Sequence, residues 1–157
     1  MMRIIIFIFF FFLNNFANAS IISEIINNFD STENMRFNFV QTINGKVEKG
    51  KCTILYPKKI YCEYIGFYNK ILVSNGKSLL INSNKNNQYY RYQLDKTPLN
   101  LILDKNFIIS KLHGLKEDKD YPFYHVFNVD YENNLIKVFF DKDNLSLIGW
   151  ETNRYLS

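Results

Sequence analysis

The spacing of apolar residues changes along the chain, and each spacing predicts a different kind of element. Between residues 21 and 29, five apolar residues fall on one side of a helix of about two to three turns: Ile21, Ile22, Ile25, Ile26 and Phe29. Beyond residue 34 the period shortens to two, with one face formed by Met35, Phe37, Phe39, Gln41 and Ile43. A period of two is typical of a strand with one buried face. The pattern therefore predicts one amphipathic helix followed by β-structure.

Turn signals divide the rest of the chain into short strands. Asn44-Gly45 and Asn75-Gly76 favour tight turns because both residue types tolerate a positive φ. Strands are predicted at residues 47–56, 60–65, 71–74, 78–82 and 88–94, with a polar loop at 83–87. Further strands are predicted at 107–111, 124–131, 135–140 and 145–152, with a charged loop at 114–120 and a turn at 141–144. Consecutive strands joined in this way form an antiparallel meander.

One apolar helix is predicted to interrupt the meander at residues 97–103. Thr97 can cap a helix, Pro98 suits the first helical position, and three apolar residues follow at helical spacing: Leu99, Ile102 and Leu103. A helix this apolar needs another apolar surface to lie on.

Residues 1–19 have the pattern of a cleaved signal peptide. Arg3 precedes an unbroken apolar run at residues 4–13, and Ala17-Asn18-Ala19 forms a small-x-small cleavage site before Ser20. The run is shorter than the roughly 20 residues that span a bilayer. We expect residues 20–157 to form a single exported domain in the periplasm, without a lipid anchor because no cysteine follows the cut. The alternative is a leader retained as a membrane anchor.

The two cysteines lie on either side of Pro57, between two strand-like runs. If these runs pair as a hairpin about Pro57, Cys52 lies opposite Cys62 and Ile54 opposite Ile60, close enough for an S–S bond. Export places the thiols in an oxidising compartment, so the sequence predicts a cross-strand disulfide. Two buried thiols are the alternative, since a slip of one residue would turn the side chains to opposite faces.

Composition and charge exclude several classes of function. Without the leader the chain keeps 21 aromatic residues in 138 and a net charge of +3, which excludes disorder. The cations are interspersed, so no nucleic-acid partner is expected. His113 and His125 have no second His or Cys at ligand spacing, and the carboxylates are scattered. We therefore predict no metal, no cofactor, no catalytic residue and no enzymatic activity.

Five motifs resemble, in order, those of the periplasmic outer-membrane lipoprotein carrier family (LolA-like). They are Phe37-Asn38-Phe39-Val40-Gln41, Gly50 before a strand, the segment 56–64 from Tyr56-Pro57 to Tyr64, the segment 71–79, and Thr97-Pro98-Leu99. The family pattern is an F-x-Q strand, a strand that begins with Gly and ends in Arg-Pro, an aromatic-rich strand, an I-V-S-D-G-K hairpin and a T-P-x-x-L-L helix. The resemblance covers roughly residues 21–152.

The resemblance implies a mainly β fold with short α-helices, an antiparallel half-open β-barrel with a helical lid over an apolar cavity. It implies a monomeric carrier that shields the acyl chains of lipoproteins between an inner-membrane ABC lipoprotein-release complex and an outer-membrane acceptor. Residues 97–103 are the candidate lid, whose apolar side chains would fill the empty cavity. The residues predicted to line cavity and lid are Phe37, Phe39, Ile54, Tyr56, Ile60, Tyr64, Leu79, Leu99, Ile102 and Leu103.

Two positions differ from the family pattern. Tyr56 stands where the family commonly has an Arg that helps to hold the lid closed, and its hydroxyl can donate only one hydrogen bond. Cys62 stands where the family has a Trp, so the disulfide would replace an aromatic side chain. Two other functions fit the same residues: a sensor or adaptor half-barrel that binds a protein partner without lipid cargo, and a structural sheet domain with a filled core.

Overall fold

The computed structural model describes residues 20–43, 45–66, 69–83, 88–131 and 134–152. The predicted signal peptide, Asn44 of the first predicted turn and residues 84–87 of the predicted polar loop lie outside these described residues. What is described forms two antiparallel sheets and three short α-helices.

The first helix, α1 (Ile21–Ser31), is the one that the apolar spacing predicts. Ser20 caps it, because the Ser20 hydroxyl accepts a hydrogen bond from the backbone N–H of Ser23. Its apolar stripe is buried at Ile25, Ile26 and Phe29.

The larger sheet is a six-stranded meander in chain order. Its strands are β1 (Asn34–Ile43), β2 (Lys46–Leu55), β3 (Lys59–Ile65), β4 (Lys70–Asn75), β5 (Ser78–Ser83) and β6 (Gln88–Gln93). The predicted hairpin about Pro57 is confirmed in its register, with Cys52 opposite Cys62 and Ile54 opposite Ile60. The turn at Asn75-Gly76 is confirmed as well, with Gly76 at a φ of 98°.

After β6 and a short 3-10 helix (Leu94–Lys96), two α-helices follow: α2 (Leu99–Leu103) and α3 (Lys105–Leu112). The strand predicted at 107–111 is therefore wrong. The Asp104 carboxylate accepts a hydrogen bond from the Phe107 N–H and caps α3, whose Ile108 and Leu112 are buried one turn apart. The helix predicted at 97–103 is present, but it begins after Pro98, and the Thr97 hydroxyl donates to the Leu94 carbonyl instead of capping it.

The smaller sheet contains β7 (Tyr124–Tyr131), β8 (Asn134–Asp141) and β9 (Leu147–Thr152). One apolar core lies between this sheet, α1 and α3, and includes Phe29, Phe127 and Phe140. A second core lies on one face of the larger sheet and includes Leu103 of α2. Since the two sheets are not joined by backbone hydrogen bonds in the described residues, the architecture is an open antiparallel barrel with short helices.

Candidate functional site

One face of the six-stranded sheet presents rows of apolar side chains. Each row contains one residue from each strand, because residues paired across neighbouring strands point to the same face of the sheet. One row crosses all six strands and consists of Phe37, Cys52, Cys62, Leu72, Ile81 and Tyr90. We call this side of the sheet the concave face and the other side the convex face. The concave face is the surface on which α2 lies, since Leu99 and Leu103 pack against its buried residues.

A pocket of about 330 Å³ opens where the concave face meets the smaller sheet. We call it the seam pocket, because strands β1 and β9, on its two sides, belong to separate sheets. The larger sheet contributes Phe37, Asn38, Phe39, Val40, Gln41, Cys52, Ile60, Cys62, Tyr64 and Leu72. Leu99 of α2 and the β9 residues Ile148, Gly149 and Trp150 complete the lining. The pocket therefore lies between the lid helix and the unclosed side of the barrel.

One wall of the seam pocket depends on a glycine. A Cβ atom at Gly50 would overlap both the Glu63 carbonyl oxygen and the Phe39 ring. The Phe39 ring therefore lies over the bare backbone of Gly50 and contacts Tyr64 edge-on, with ring centroids 4.9 Å apart. Glycine is needed here for close approach of three strands, which the period-two pattern of the sequence does not reveal.

The Cys52–Cys62 disulfide forms part of the pocket floor. The two Cα atoms are 4.1 Å apart, and both side chains are buried. The bond joins β2 to β3 in the middle of the apolar row, so it fixes the register of the strands that line the pocket.

A polar network borders the apolar lining at the end of the sheet away from α2. The Lys70 ammonium donates to both Glu48 carboxylate oxygens, at 2.9 and 2.8 Å, and lies over the Tyr64 ring. Gln41 donates to Glu48 at 2.7 Å. Burial alone would raise the pKa of Glu48, but the hydrogen bonds from Lys70 and Gln41 outweigh it and lower that pKa. Glu48 is therefore ionised at neutral pH, and this border stays polar.

The lid helix is held at its C-terminal end by the turn between β2 and β3. The Lys58 N–H donates to the Leu103 carbonyl at 3.1 Å, and the Lys58 ammonium lies 3.0 Å from an Asp104 carboxylate oxygen. Ile102 and Leu103 are fully buried, whereas Leu99 is half-buried and reaches the pocket. The apolar side chains of α2 therefore lie inside the protein, with Leu99 against the seam pocket.

Tyr56 does not reach the lid through its hydroxyl. That group lies 3.8 Å from the Met35 sulfur, and the ring packs edge-on against Phe29. Burial raises the pKa of the Tyr56 hydroxyl, so it stays protonated. The hydrogen bond and ion pair at the end of α2 come instead from Lys58, two residues further on.

Of the ten residues predicted to line the cavity and the lid, some line the seam pocket in the structure and others do not. Those that line the seam pocket are Phe37, Phe39, Ile60, Tyr64 and Leu99. Those packed into apolar cores instead are Ile54, Leu79, Ile102 and Leu103, and Tyr56 lies between the two cores. Sequence reasoning missed Leu72, which the hairpin registers could have found, and Trp150, which no local pattern connects to the pocket.

The seam pocket presents mostly aromatic and aliphatic side chains, and both histidines lie elsewhere. His113 is exposed at the end of α3, and His125 is buried in β7 with its Nδ1 3.0 Å from a Glu117 carboxylate oxygen. Within the described ranges no group of three or more His, Cys, Asp or Glu residues is placed to hold a metal ion. Across the same ranges, the helices are all too short or too polar to cross a bilayer.

Comparison with known proteins gives one family. The model of a family described as "Outer membrane lipoprotein carrier protein LolA" matches residues 30–152, which include the six-stranded sheet, the lid helix and β9. No curated protein matches the chain.

Proposed function

The chain belongs to the outer membrane lipoprotein carrier family LolA, and from that membership we propose that it shields the acyl chains of lipoproteins and shuttles them through the periplasm. The family is one of carriers, not of enzymes. Cargo would be received from an inner-membrane ABC lipoprotein-release complex and passed to an outer-membrane acceptor, with the chain acting as a monomer. The observation that carries the proposal is the seam pocket beside the lid helix, which is lined by aromatic and aliphatic side chains such as Phe37, Phe39 and Leu72.

Free energy explains why such a carrier needs a covered pocket. Each CH₂ group exposed to water costs about 0.8 kcal/mol, so a lipoprotein cannot cross an aqueous space with its acyl chains bare. A volume of about 330 Å³ is near the lower limit of ordinary ligand pockets, which run from about 300 to 1,000 Å³. Acyl chains would therefore have to displace Leu99 and move the lid. We propose that the closed lid is the empty state.

Uptake through the seam fits the way in which the pocket is built. Trp150 and Ile148 on β9 face the edge strand β1 across the pocket, without the backbone hydrogen bonds that would resist separation. The two sheets could move apart there at the cost of side-chain contacts alone. The polar network of Glu48, Lys70 and Gln41 marks where the apolar surface ends, so the polar part of a lipoprotein would stay on that side.

The Lys58–Asp104 ion pair should set how readily the lid opens. Replacing Lys58 by Met removes the pair but keeps the backbone hydrogen bond to Leu103 and most of the side chain. Since both partners are about one-third exposed, the pair contributes up to about 1 kcal/mol to the closed state. We expect about threefold tighter binding of a fluorescent fatty acid, because a larger fraction of the protein is open. The matched control is Lys59→Met, an exposed neighbour, and equal or weaker binding by Lys58→Met would contradict the lid assignment.

We propose that residues 1–19 are removed on export and that the processed domain, 20–157, is periplasmic and carries no lipid anchor. The buried Cys52–Cys62 disulfide supports an oxidising compartment.

Mass spectrometry of the native protein tests the carrier function directly. The exported protein is purified without detergent and sprayed under native conditions, and its N-terminus is read from the mass. We expect a processed chain beginning at Ser20 with bound lipidated peptide or acyl species. A ligand-free monomer that also rejects a fluorescent fatty acid would contradict the carrier and favour an adaptor half-barrel that binds a protein partner.

A further inference from the structure

Four large aliphatic side chains project into solvent at one end of the six-stranded sheet. Ile65 is 70% exposed, Val40 67%, Val47 60% and Ile43 55%. We call these four residues the hairpin patch. They lie at the C-terminal ends of β1 and β3 and the N-terminal part of β2, which is the end of the sheet away from the Lys58 turn and the lid.

Three of the four residues of the hairpin patch lie together on the convex face, whereas Ile43 lies on the concave face at the end of the hairpin. On the convex face Lys49 lies directly opposite both Val40 and Ile65, so these three side chains form one row. Val47 lies in the next row, diagonal to Val40 and within about 7–8 Å of it. Adjacent exposed aliphatic residues mark a contact surface more strongly than the same residues scattered singly.

The charge around the patch is positive. Lys46 and Lys49 are exposed, and neither takes part in the ion pairs found among the described residues. Glu48, which lies between them in sequence, turns to the concave face, where Lys70 binds its carboxylate. This end of the sheet therefore presents Lys49 on the convex side, where β1 and β2 add no acidic side chain, and Lys46 on the concave side, opposite Ile43.

The residue types fit a lipid surface better than a protein partner. Protein interfaces are enriched in aromatic residues and Arg and depleted in Lys, whereas the hairpin patch combines Val and Ile with Lys. Lysine stems can lie along apolar surface while the ammonium groups reach phosphate groups, and each Lys adds about 1 kcal/mol at an anionic membrane. Aliphatic side chains at a projecting sheet end can enter the boundary between headgroups and acyl chains.

The patch is also continuous with the seam pocket. Val40 belongs to the patch and lines the pocket, and the next residue, Gln41, lines the pocket too. We propose that this end of the sheet docks on the surface of a bilayer containing anionic phospholipid, with the pocket opening beside the contact. The purpose of the docking rests on the proposed carrier function, since an acyl chain could then pass between bilayer and pocket with little exposure to water, but the docking itself needs no cargo.

Vesicle sedimentation tests the docking. The chain beginning at Ser20, where the described fold begins, is mixed without cargo with phosphatidylcholine vesicles or with vesicles that also contain phosphatidylglycerol. We expect binding to the anionic vesicles that weakens as salt is added. The Val47→Glu/Ile65→Glu and Lys46→Glu/Lys49→Glu variants should each bind at least about tenfold more weakly. The single variants Leu55→Glu and Lys59→Glu are the controls, because they change the convex face at the other end of the sheet. Each should bind the anionic vesicles with an affinity within about twofold of that of the unaltered chain.

Several results would overturn the docking. One is absence of binding to anionic vesicles, and another is an equal loss in the Leu55→Glu control. A self-association in analytical ultracentrifugation that the patch variants abolish, without vesicle binding, would assign the surface to a second copy of the chain. Binding of a fluorescent fatty acid by the same proteins separates the two proposals, because patch variants should keep it, and its absence from all of them would count against the carrier alone.

Discussion

Replacement of Leu72 by glutamate is expected to abolish acyl-chain binding while leaving the sheet folded. Leu72 lies in the middle of the concave face, opposite Cys62 and Ile81, and lines the seam pocket. A carboxylate at this position would lose its water whenever an acyl chain filled the pocket, and an uncompensated buried polar group costs about 2–7 kcal/mol. A cost of even about 3 kcal/mol lowers affinity roughly 100-fold. Titration with a fluorescent fatty acid measures the loss.

Val73 supplies the matched control for Leu72. It is the next residue of β4 and also half-buried, but strand alternation points it to the convex face. We expect Val73→Glu to bind the probe within about threefold of the unaltered chain, and thermal unfolding should show that both variants are folded. Unchanged binding by Leu72→Glu, or an equal loss in Val73→Glu, would place the acyl chains somewhere other than the concave face.

A carrier has to release what it binds, and the closed lid provides a physical means. Ile102 and Leu103 are fully buried, so movement of the lid during binding, as proposed, would break favourable apolar contacts. This competition lowers the apparent affinity by the fraction of molecules that are open. Under the proposed function, this lower affinity would favour transfer of the acyl chains to an acceptor. In the proposed closed state the lid is buried and its Leu99 side chain lines the seam pocket, which keeps the pocket small.

Local pairing could be predicted from the sequence because it depends on neighbouring residues. The period-two pattern on both sides of Pro57 predicts the register that the structure has, including Cys52 opposite Cys62. The segment 107–111 could not be assigned in the same way. Ile108 and Ile109 have the β-branched side chains typical of strands, yet the Asp104 cap and burial of Ile108 and Leu112 against α1 and the smaller sheet stabilise a helix. Tertiary packing outweighed strand propensity there.

The candidate site shows the same division between local and long-range information. The register of β2 with β3, combined with that of β3 with β4, places Leu72 in the same row as the two cysteines, so its position in the pocket could have been predicted from the sequence. Trp150 was not, because β9 pairs only with β8 in the described residues and no register relates it to β1. The position of Trp150 across the pocket depends on how two cores pack together, and a single sequence contains no periodic signal for that arrangement.

Removing the Cys52–Cys62 disulfide is expected to lower the free energy of unfolding by about 3 kcal/mol. The bond closes a loop with a sequence separation of 10, and a loop of that length restricts the unfolded chain by about this amount. The variant Cys52→Ala/Cys62→Ala is preferable to serine, because hydroxyl groups at these buried positions would need hydrogen-bond partners. Urea unfolding, with and without a reductant, measures the difference.

The reductant provides the control for this last prediction, since only the unaltered chain contains a bond to break. Its stability should fall to that of the double variant in the reductant, while the double variant should not respond. Iodoacetamide should add two labels to the unaltered chain only after reduction in denaturant, and two labels without reductant would refute the bond. Because the bond fixes β2 against β3 under the seam pocket, its loss should also weaken fatty-acid binding, which links the stability of the sheet to the capacity of the carrier.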